Sequence, residues 1–172
     1  MSAAVWLARR VIVGMGDVVV SADPGLEIVT HPLRAGVGVV LVDPEARVAG
    51  LLHATLPQGS TTASFDRPAR FVDTGVPHLL DACIELGADP ARIVALAAGA
   101  ADVPTRADRP DTLGTGERNA RMLQRALRRE GLFLRVAELG GTTSRTVSVS
   151  VGTGTITISD GRGSRTFRGC SM

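Results

Sequence analysis

The chain of 172 residues contains no tyrosine, and aromatic residues make up only 3% of it. It also contains no lysine, so all 19 basic residues are arginine, and they stand against 17 acidic residues for a net charge of +2. Proteins that bind single-stranded nucleic acid combine clustered cations with aromatic side chains on which bases stack. The near balance of charge and the scarcity of aromatic residues argue against a nucleic-acid partner.

Cysteine is scarce too, since the chain carries only Cys83 and Cys170. Their spacing offers neither a metal-ligand motif nor a disulfide framework, so we expect reduced thiols, no metal and no cofactor. No stretch approaches the roughly 18 apolar residues that a membrane span requires. The segment 1–10 lacks the uncharged hydrophobic core of a secretion signal. We therefore expect a cytoplasmic protein that does not insert into a membrane.

Apolar residues are abundant, at 44% of the chain, and predict a real hydrophobic core. Short apolar or alternating segments between glycine-rich turns predict many strands and only two helices. The helices are predicted at 74–86 and 117–130, each followed by a glycine of the kind that a left-handed C-cap favours. The strands are predicted at 11–13, 18–20, 27–30, 37–42, 48–56, 93–97, 132–139, 146–151 and 155–159. This pattern predicts an α+β layered sandwich in which two mostly antiparallel sheets carry helices on one face.

The sequence pattern predicts one domain at 1–158. We expect the C-terminal segment at 159–172 to be disordered. Residues 58–67 are small and polar and predict a surface loop. Residues 102–115 contain prolines and charges and predict a mobile loop. Five arginines at helical spacing, from Arg118 to Arg129, predict the solvated face of the second helix.

The segment 30–57 carries the candidate chemistry. Residues 37–42 form a continuous apolar run that is typical of a strand buried on both faces. The turn at Asp43 and Pro44 then leads into the strand at 48–56, which carries His53. We expect the two strands to pair as an antiparallel hairpin. That pairing returns His53 to the start of the first strand, next to Gly36.

This segment resembles the CheD family, the chemoreceptor glutamine deamidases of bacterial chemotaxis. In that family a T-x-G-L-G-S-C run is followed by a strand of about six residues, a D-P turn and a strand with the histidine of H-x-x-L-P. On this resemblance the catalytic histidine corresponds to His53 and the orienting threonine to Thr30. The position of the cysteine nucleophile corresponds to Gly36.

Further motifs extend the resemblance over roughly residues 11–158. They lie at 13–17, 23–25, 71–80, 116–119 and 140–146, in the family's order. The resemblance implies the α/β/β layered sandwich. It also implies deamidation of glutamine to glutamate on the cytoplasmic helices of methyl-accepting chemoreceptors. A CheC-type phosphatase is a further partner that the family implies.

The reaction explains why Gly36 matters. Deamidation needs an attack on a carboxamide carbon, the loss of ammonia and the hydrolysis of the acyl intermediate, and a thiolate activated by histidine performs the attack. Gly36 has no side chain, and its neighbour Ala35 has no hydroxyl. We therefore expect activity to fall by orders of magnitude and the chain to act by binding. The alternative is an active deamidase that uses an unrecognised nucleophile or a water activated by His53.

The remaining candidates are weaker. Cys83 lies on the apolar face of its predicted helix, which favours a buried structural role, and Cys170 lies in the C-terminal segment. His31 and His78 match no motif of the family and are expected to be solvated. Gly116–Asn119 is interpreted as a helix start and cap. Residues 140–143 fit a tight turn or the lining of a substrate cleft equally well. The loop at 32–35 replaces the family's glycines and predicts an altered pocket.

Overall fold

The computed structural model describes residues 9–104 and 113–169, which form two stacked sheets with helices on one side. The strands are β1 (Arg9–Val13), β2 (Asp17–Ser21), β3 (Leu26–Thr30), β4 (Val37–Asp43), β5 (Val48–Ala54), β6 (Val94–Gly99), β7 (Leu134–Leu139), β8 (Thr146–Ser150), β9 (Thr155–Ser159) and β10 (Ser164–Arg168). The helices are α1 (Thr61–Asp66), α2 (Val72–Glu85) and α3 (Thr115–Arg129).

The strands divide equally between two sheets. The central sheet has the order β2-β5-β4-β6-β7 and the outer sheet the order β1-β3-β8-β9-β10. Each sheet is mixed, because β6 and β7 pair in parallel in one and β1 and β3 in the other, while every other pair is antiparallel. The predicted hairpins β4–β5 and β8–β9 are both confirmed.

Two hydrophobic clusters hold the layers together. One lies between the central sheet and helices α2 and α3, and includes Leu52, Leu79 and Leu123. The other lies between the two sheets and includes Ile28, Leu51 and Ile156. Neighbouring residues of β5 belong to different clusters because successive side chains of a strand point to opposite faces. The predicted α+β sandwich, with helices on one face of two packed sheets, is confirmed.

Strands β4 and β5 form the middle of this arrangement. All seven residues of each strand are buried. This burial explains the continuous apolar run at 37–42, since a strand covered on both faces has no solvent-facing positions to fill with polar residues.

The helix ends agree with the sequence signals. Gly87 follows α2 with φ +102° and Gly131 follows α3 with φ +70°, as expected for left-handed C-caps. Helix α2 begins at Val72, two residues before the predicted start. No helix within the described residues is long and apolar enough to cross a membrane.

Two expectations are wrong in part. Residues 58–67 are not wholly a loop, since α1 begins after Ser60, whose hydroxyl accepts a hydrogen bond from Ala63 N as an N-cap. The segment from residue 159 is not disordered throughout, since β10 pairs antiparallel with β9 and its Phe167 packs against the cluster between the sheets. A single apolar residue in a polar strand gave too weak a pattern to predict β10. The expected mobile loop at 102–115 falls mostly outside the described residues.

The turn between β4 and β5 is fixed by one buried carboxylate. Asp43 is 1% exposed, and its carboxylate forms an ion pair with Arg92 at 2.8 Å. It also accepts hydrogen bonds from the backbone N–H groups of Glu45, Ala46 and Asp89. Burial acts to raise the pKa of Asp43, but the Arg92 guanidinium and the backbone donors outweigh it and lower the pKa to about 2. Asp43 therefore joins the β4–β5 turn to the segment that enters β6.

We predict that Asp43→Asn destabilises the protein at neutral pH. It also makes the free energy of unfolding depend less on pH in the acid range. A carboxyl whose pKa is lowered on folding contributes stability above its unfolded pKa, and that stability is lost as pH falls from about 4 to about 2. The contribution at neutral pH is about 2 kcal/mol. Chemical denaturation across pH measures it, with the exposed Asp81→Asn as control. Equal loss of stability at pH 2 and pH 7 would contradict the assignment.

Candidate active site

The β4–β5 pairing brings two of the three predicted site residues together. The register places Gly38 opposite His53 and Val37 opposite Ala54. A Cβ atom built on Gly36 would lie 3.3 Å from His53 Nε2. The prediction that the hairpin returns His53 to the position of the missing nucleophile is confirmed as geometry.

The backbone is packed tightly around that position. The same Cβ on Gly36 would lie 2.9 Å from the carbonyl oxygen of Ala54, closer than side chains ordinarily approach backbone. On the other side Gly99, at φ +113°, is so close that a Cβ there would overlap the carbonyl oxygen of Gly36. Ala100 N donates to that same oxygen at 2.8 Å. A side chain at position 36 therefore requires the end of β5 to move.

His53 is buried at this point between the two sheets. It is 2% exposed, and its Nδ1 has no hydrogen-bond partner among the described residues. Burial lowers the pKa of His53 below its ordinary value of 6.5, and the charge of nearby His31 acts in the same direction, while the carbonyl of Val13 opposes both. The imidazole is therefore neutral at neutral pH, which is the state that a general base requires. His31 itself is exposed, and no motif or spacing predicted its influence on His53.

Thr30 lies at the end of β3, buried at 4% exposure. Its Oγ1 accepts a hydrogen bond from Val147 N at 3.0 Å, and its methyl group lies 3.5 Å from the position of a Cβ on Gly38. The hydroxyl thus joins β3 to β8, while Nδ1 of His53 stays unpartnered. The role of Thr30 in orienting His53 remains a prediction.

The loop before Gly36 is anchored by its backbone. Leu33 and Arg145 exchange two hydrogen bonds, of 2.6 and 3.1 Å. Ala101 N donates to the carbonyl of Arg34 at 2.8 Å. Leu33 is fully buried, whereas Pro32 and Arg34 are exposed. The residues that differ from the family's glycines therefore face solvent at the approach to Gly36.

Asn119 is the residue that sequence reasoning missed. It is fully buried on α3, and its Nδ2 donates to the carbonyls of Ala35 at 2.8 Å and Thr55 at 3.1 Å. These carbonyls belong to the residue before Gly36 and to the second residue after His53. The interpretation of Gly116–Asn119 as a cap is wrong, because α3 has Gly114 as N-cap and no side-chain cap. The signal was an asparagine on the apolar face of a helix, where a buried amide requires partners.

Cys83, the cysteine within the described residues, offers no replacement nucleophile. Cys83 is buried in the cluster between α2 and the central sheet, on the face opposite His53. Burial raises the pKa of its thiol to about 12, so it is not a thiolate at neutral pH. Its predicted structural role is confirmed. Cys170 lies outside the described residues. Within those residues no three acidic, histidine or cysteine side chains cluster as metal ligands.

A groove of about 460 Å³ lies beside this site, between α3 and the ends of β6 and β7. Its lining includes Ala100, Gly116, Gly140 and Gly141. Gly140 N donates to the Gly99 carbonyl and Asp102 N to the Gly141 carbonyl, both at 2.9 Å. The glycine pair thus serves both of the roles left open by the sequence, as a turn and as the lining of a groove.

A comparison with family models matches residues 55–160 to the CheD family of chemotactic sensory transduction. The chain belongs to the CheD family. It is 38% identical over 146 residues, 85% of this chain and 87% of the relative, to a probable chemoreceptor glutamine deamidase CheD of Desulforamulus reducens. It is 36% identical over 147 residues, 86% of this chain and 90% of the relative, to a protein of the same name from Thermococcus kodakarensis. Gly36 and His53 precede the segment that the CheD family model matches.

We predict that His53 titrates below pH 6.5 in the folded protein. Because the unfolded chain takes up this proton more readily, stability falls as pH drops below 6.5 and His53→Gln removes that part of the pH dependence. NMR of the imidazole resonances measures the titration, and the resonance that is absent from the His53→Gln spectrum identifies His53. A midpoint for His53 above 6.5 would contradict a buried neutral imidazole.

We predict that Asn119→Ala lowers the free energy of unfolding by about 2 kcal/mol or more, because it leaves the two carbonyls without a donor. It should also shift the NMR resonances of Gly36 and His53, which a loss of helix stability alone would not do. Gln124→Ala, exposed on the same helix, is the matched control. Unchanged Gly36 and His53 resonances in a folded Asn119→Ala variant would show that Asn119 does not position the site.

Proposed function

We propose that this chain is a chemotaxis protein of the CheD family that binds chemoreceptors in the cytoplasm and deamidates them weakly or not at all. The observation that carries the proposal is the surroundings of Gly36. No side chain is available there to attack a carboxamide, and the Ala54 carbonyl lies 2.9 Å from where the first atom of that side chain would stand. His53 alone leaves a base without the nucleophile that it would activate.

The proposal that the chain binds receptors rests on its similarity to the CheD relatives and on its fold around position 36. The relatives that are 36–38% identical are named as probable chemoreceptor glutamine deamidases. The two sheets, the helices against one face and the β4–β5 hairpin all surround the altered position. The cytoplasmic helices of the receptor are the proposed partner. A CheC-type phosphatase is a second proposed partner, which membership of the family suggests.

We predict little or no conversion of receptor glutamine to glutamate, with a His53→Ala variant as the negative control. Mass spectrometry of a receptor cytoplasmic fragment incubated with each protein measures the mass change, and a cysteine-containing relative serves as positive control. A conversion rate like that of the relative, lost in His53→Ala, would establish the alternative function, in which His53 activates water or an unrecognised nucleophile. Failure of the folded protein to bind either a receptor fragment or a CheC-type partner in calorimetry would remove the binding proposal.

We further predict that Gly36→Cys alone restores only weak deamidation. The new thiol would stand beside His53, but its Cβ requires Ala54 to shift, and the loop at 32–35 no longer has the family's glycines. Losing one backbone donor to the reacting oxygen costs a factor of about 10² to 10³ in rate. Replacing Pro32–Ala35 with glycine, leucine, glycine and serine as well should give substantially more activity. Alkylation rate against pH, with Gly36→Ala as control for the added Cβ, separates thiol activation from packing.

An unperturbed thiol in the full graft, together with no deamidation, would show that His53 is not placed as a base.

A further inference from the structure

Helix α3 carries an arginine row that the candidate chemistry does not use. Its members are Arg118, Arg121, Arg125, Arg128 and Arg129, all exposed. Arg121 pairs with Glu117, whereas the other four make no ion pair with the described residues. Like charges three and four residues apart on a helix destabilise it. Glu117 offsets part of this repulsion and Asp73 interacts with Arg129, but Arg118, Arg125 and Arg128 have no ion-pair partner among the described residues.

A groove runs along this row. Arg118, Arg121, Arg125 and Met122 form one wall, and Pro57 and Gln58 form the other. Gln58 also lines the adjoining groove that contains Phe65 of α1, whose residue surface is 87% exposed. Arginine and aromatic side chains are the types enriched where proteins contact partners. The row, the groove and Phe65 together are called the arginine surface below.

The arginine surface and the candidate active site share helix α3. On the opposite side of α3, Asn119 donates to the carbonyls of Ala35 and Thr55. Pro57, in the groove wall, follows Thr55 by two residues. A partner that lies in the groove therefore contacts the same helix that holds the segments around Gly36 and His53.

We propose that the arginine surface binds an acidic α-helix of the chemoreceptor's cytoplasmic region, a proposal that rests on the receptor binding proposed above. Carboxylates spaced three and four residues apart on a partner helix form a row that matches the arginines. An apolar residue of the same helix covers Phe65. The carboxylates reduce the remaining repulsion along α3.

Two other anionic partners fit the surface less well. A helix that lies on a lipid surface inserts its apolar face, but the apolar face of α3, with Leu123 and Leu127, is buried in the core. Single-stranded nucleic acid requires several stacking aromatics along a basic groove. Phe65 is the only aromatic residue that lines these two grooves.

The test compares two double charge reversals by calorimetry against a receptor cytoplasmic fragment. Arg118→Glu with Arg125→Glu alters the arginine surface. Arg162→Glu with Arg168→Glu makes the same change of charge at exposed positions on and before β10, in the outer sheet. We expect the first pair to weaken binding at least about tenfold and to remove its salt dependence. The control pair should bind as the unaltered protein does, and Phe65→Ser should weaken binding without changing the salt dependence.

Equal binding by both double variants would overturn the arginine surface and leave receptor binding intact. Failure of the unaltered protein to bind the receptor would contradict the proposed function instead. In that case a synthetic helical peptide with glutamates at the matching spacing tests whether the arginine surface binds acidic helices. Binding of that peptide, lost in Arg118→Glu with Arg125→Glu, supports an acidic-helix surface. No binding overturns it, as does binding through these arginines to anionic vesicles or single-stranded RNA in place of peptide and receptor.

Discussion

The antiparallel pairing of β4 with β5 is the constraint on which the rest of the structure depends. It fills the middle of the central sheet, and both strands are buried between the helices and the outer sheet. Asp43 fixes one end of the hairpin through Arg92 and three backbone donors. The other end holds Gly36 and His53. The register that builds the core is therefore the same register that builds the candidate site.

At the end of the hairpin that holds Gly36, the backbone packs closely around the position where a side chain is missing. The Ala54 carbonyl would crowd a Cβ atom on residue 36. On the other side, Gly99 packs against the Gly36 carbonyl. Asn119 holds both segments through the Ala35 and Thr55 carbonyls. His53 is buried beside this position, and its burial keeps the imidazole neutral. The same helix carries the arginine row, so the proposed binding surface and the site geometry share one element.

The sequence predicted the elements whose pattern is local and strong. The apolar run at 37–42, the alternation at 155–159 and the glycines at 87 and 131 each predict their element from local physics. It could not predict β10, which depends on β9 and on Phe167 reaching the core. It placed His53 beside Gly36 because hairpin pairing follows from turn and strand lengths. Asn119 escaped it, because its partners lie 84 and 64 residues away along the chain.

The most direct test of the central claim is a crystal structure of the Gly36→Cys variant beside one of the unaltered protein. The claim is that the end of β5 lies too close to position 36 for a side chain to fit without movement. It predicts that the Ala54 carbonyl moves away by several tenths of an ångström, from the 2.9 Å that it would have to the Cβ of an unshifted chain. The sulfur should then lie near His53. A cysteine that fits with Ala54 unmoved, in the position of an active thiolate, would contradict the claim.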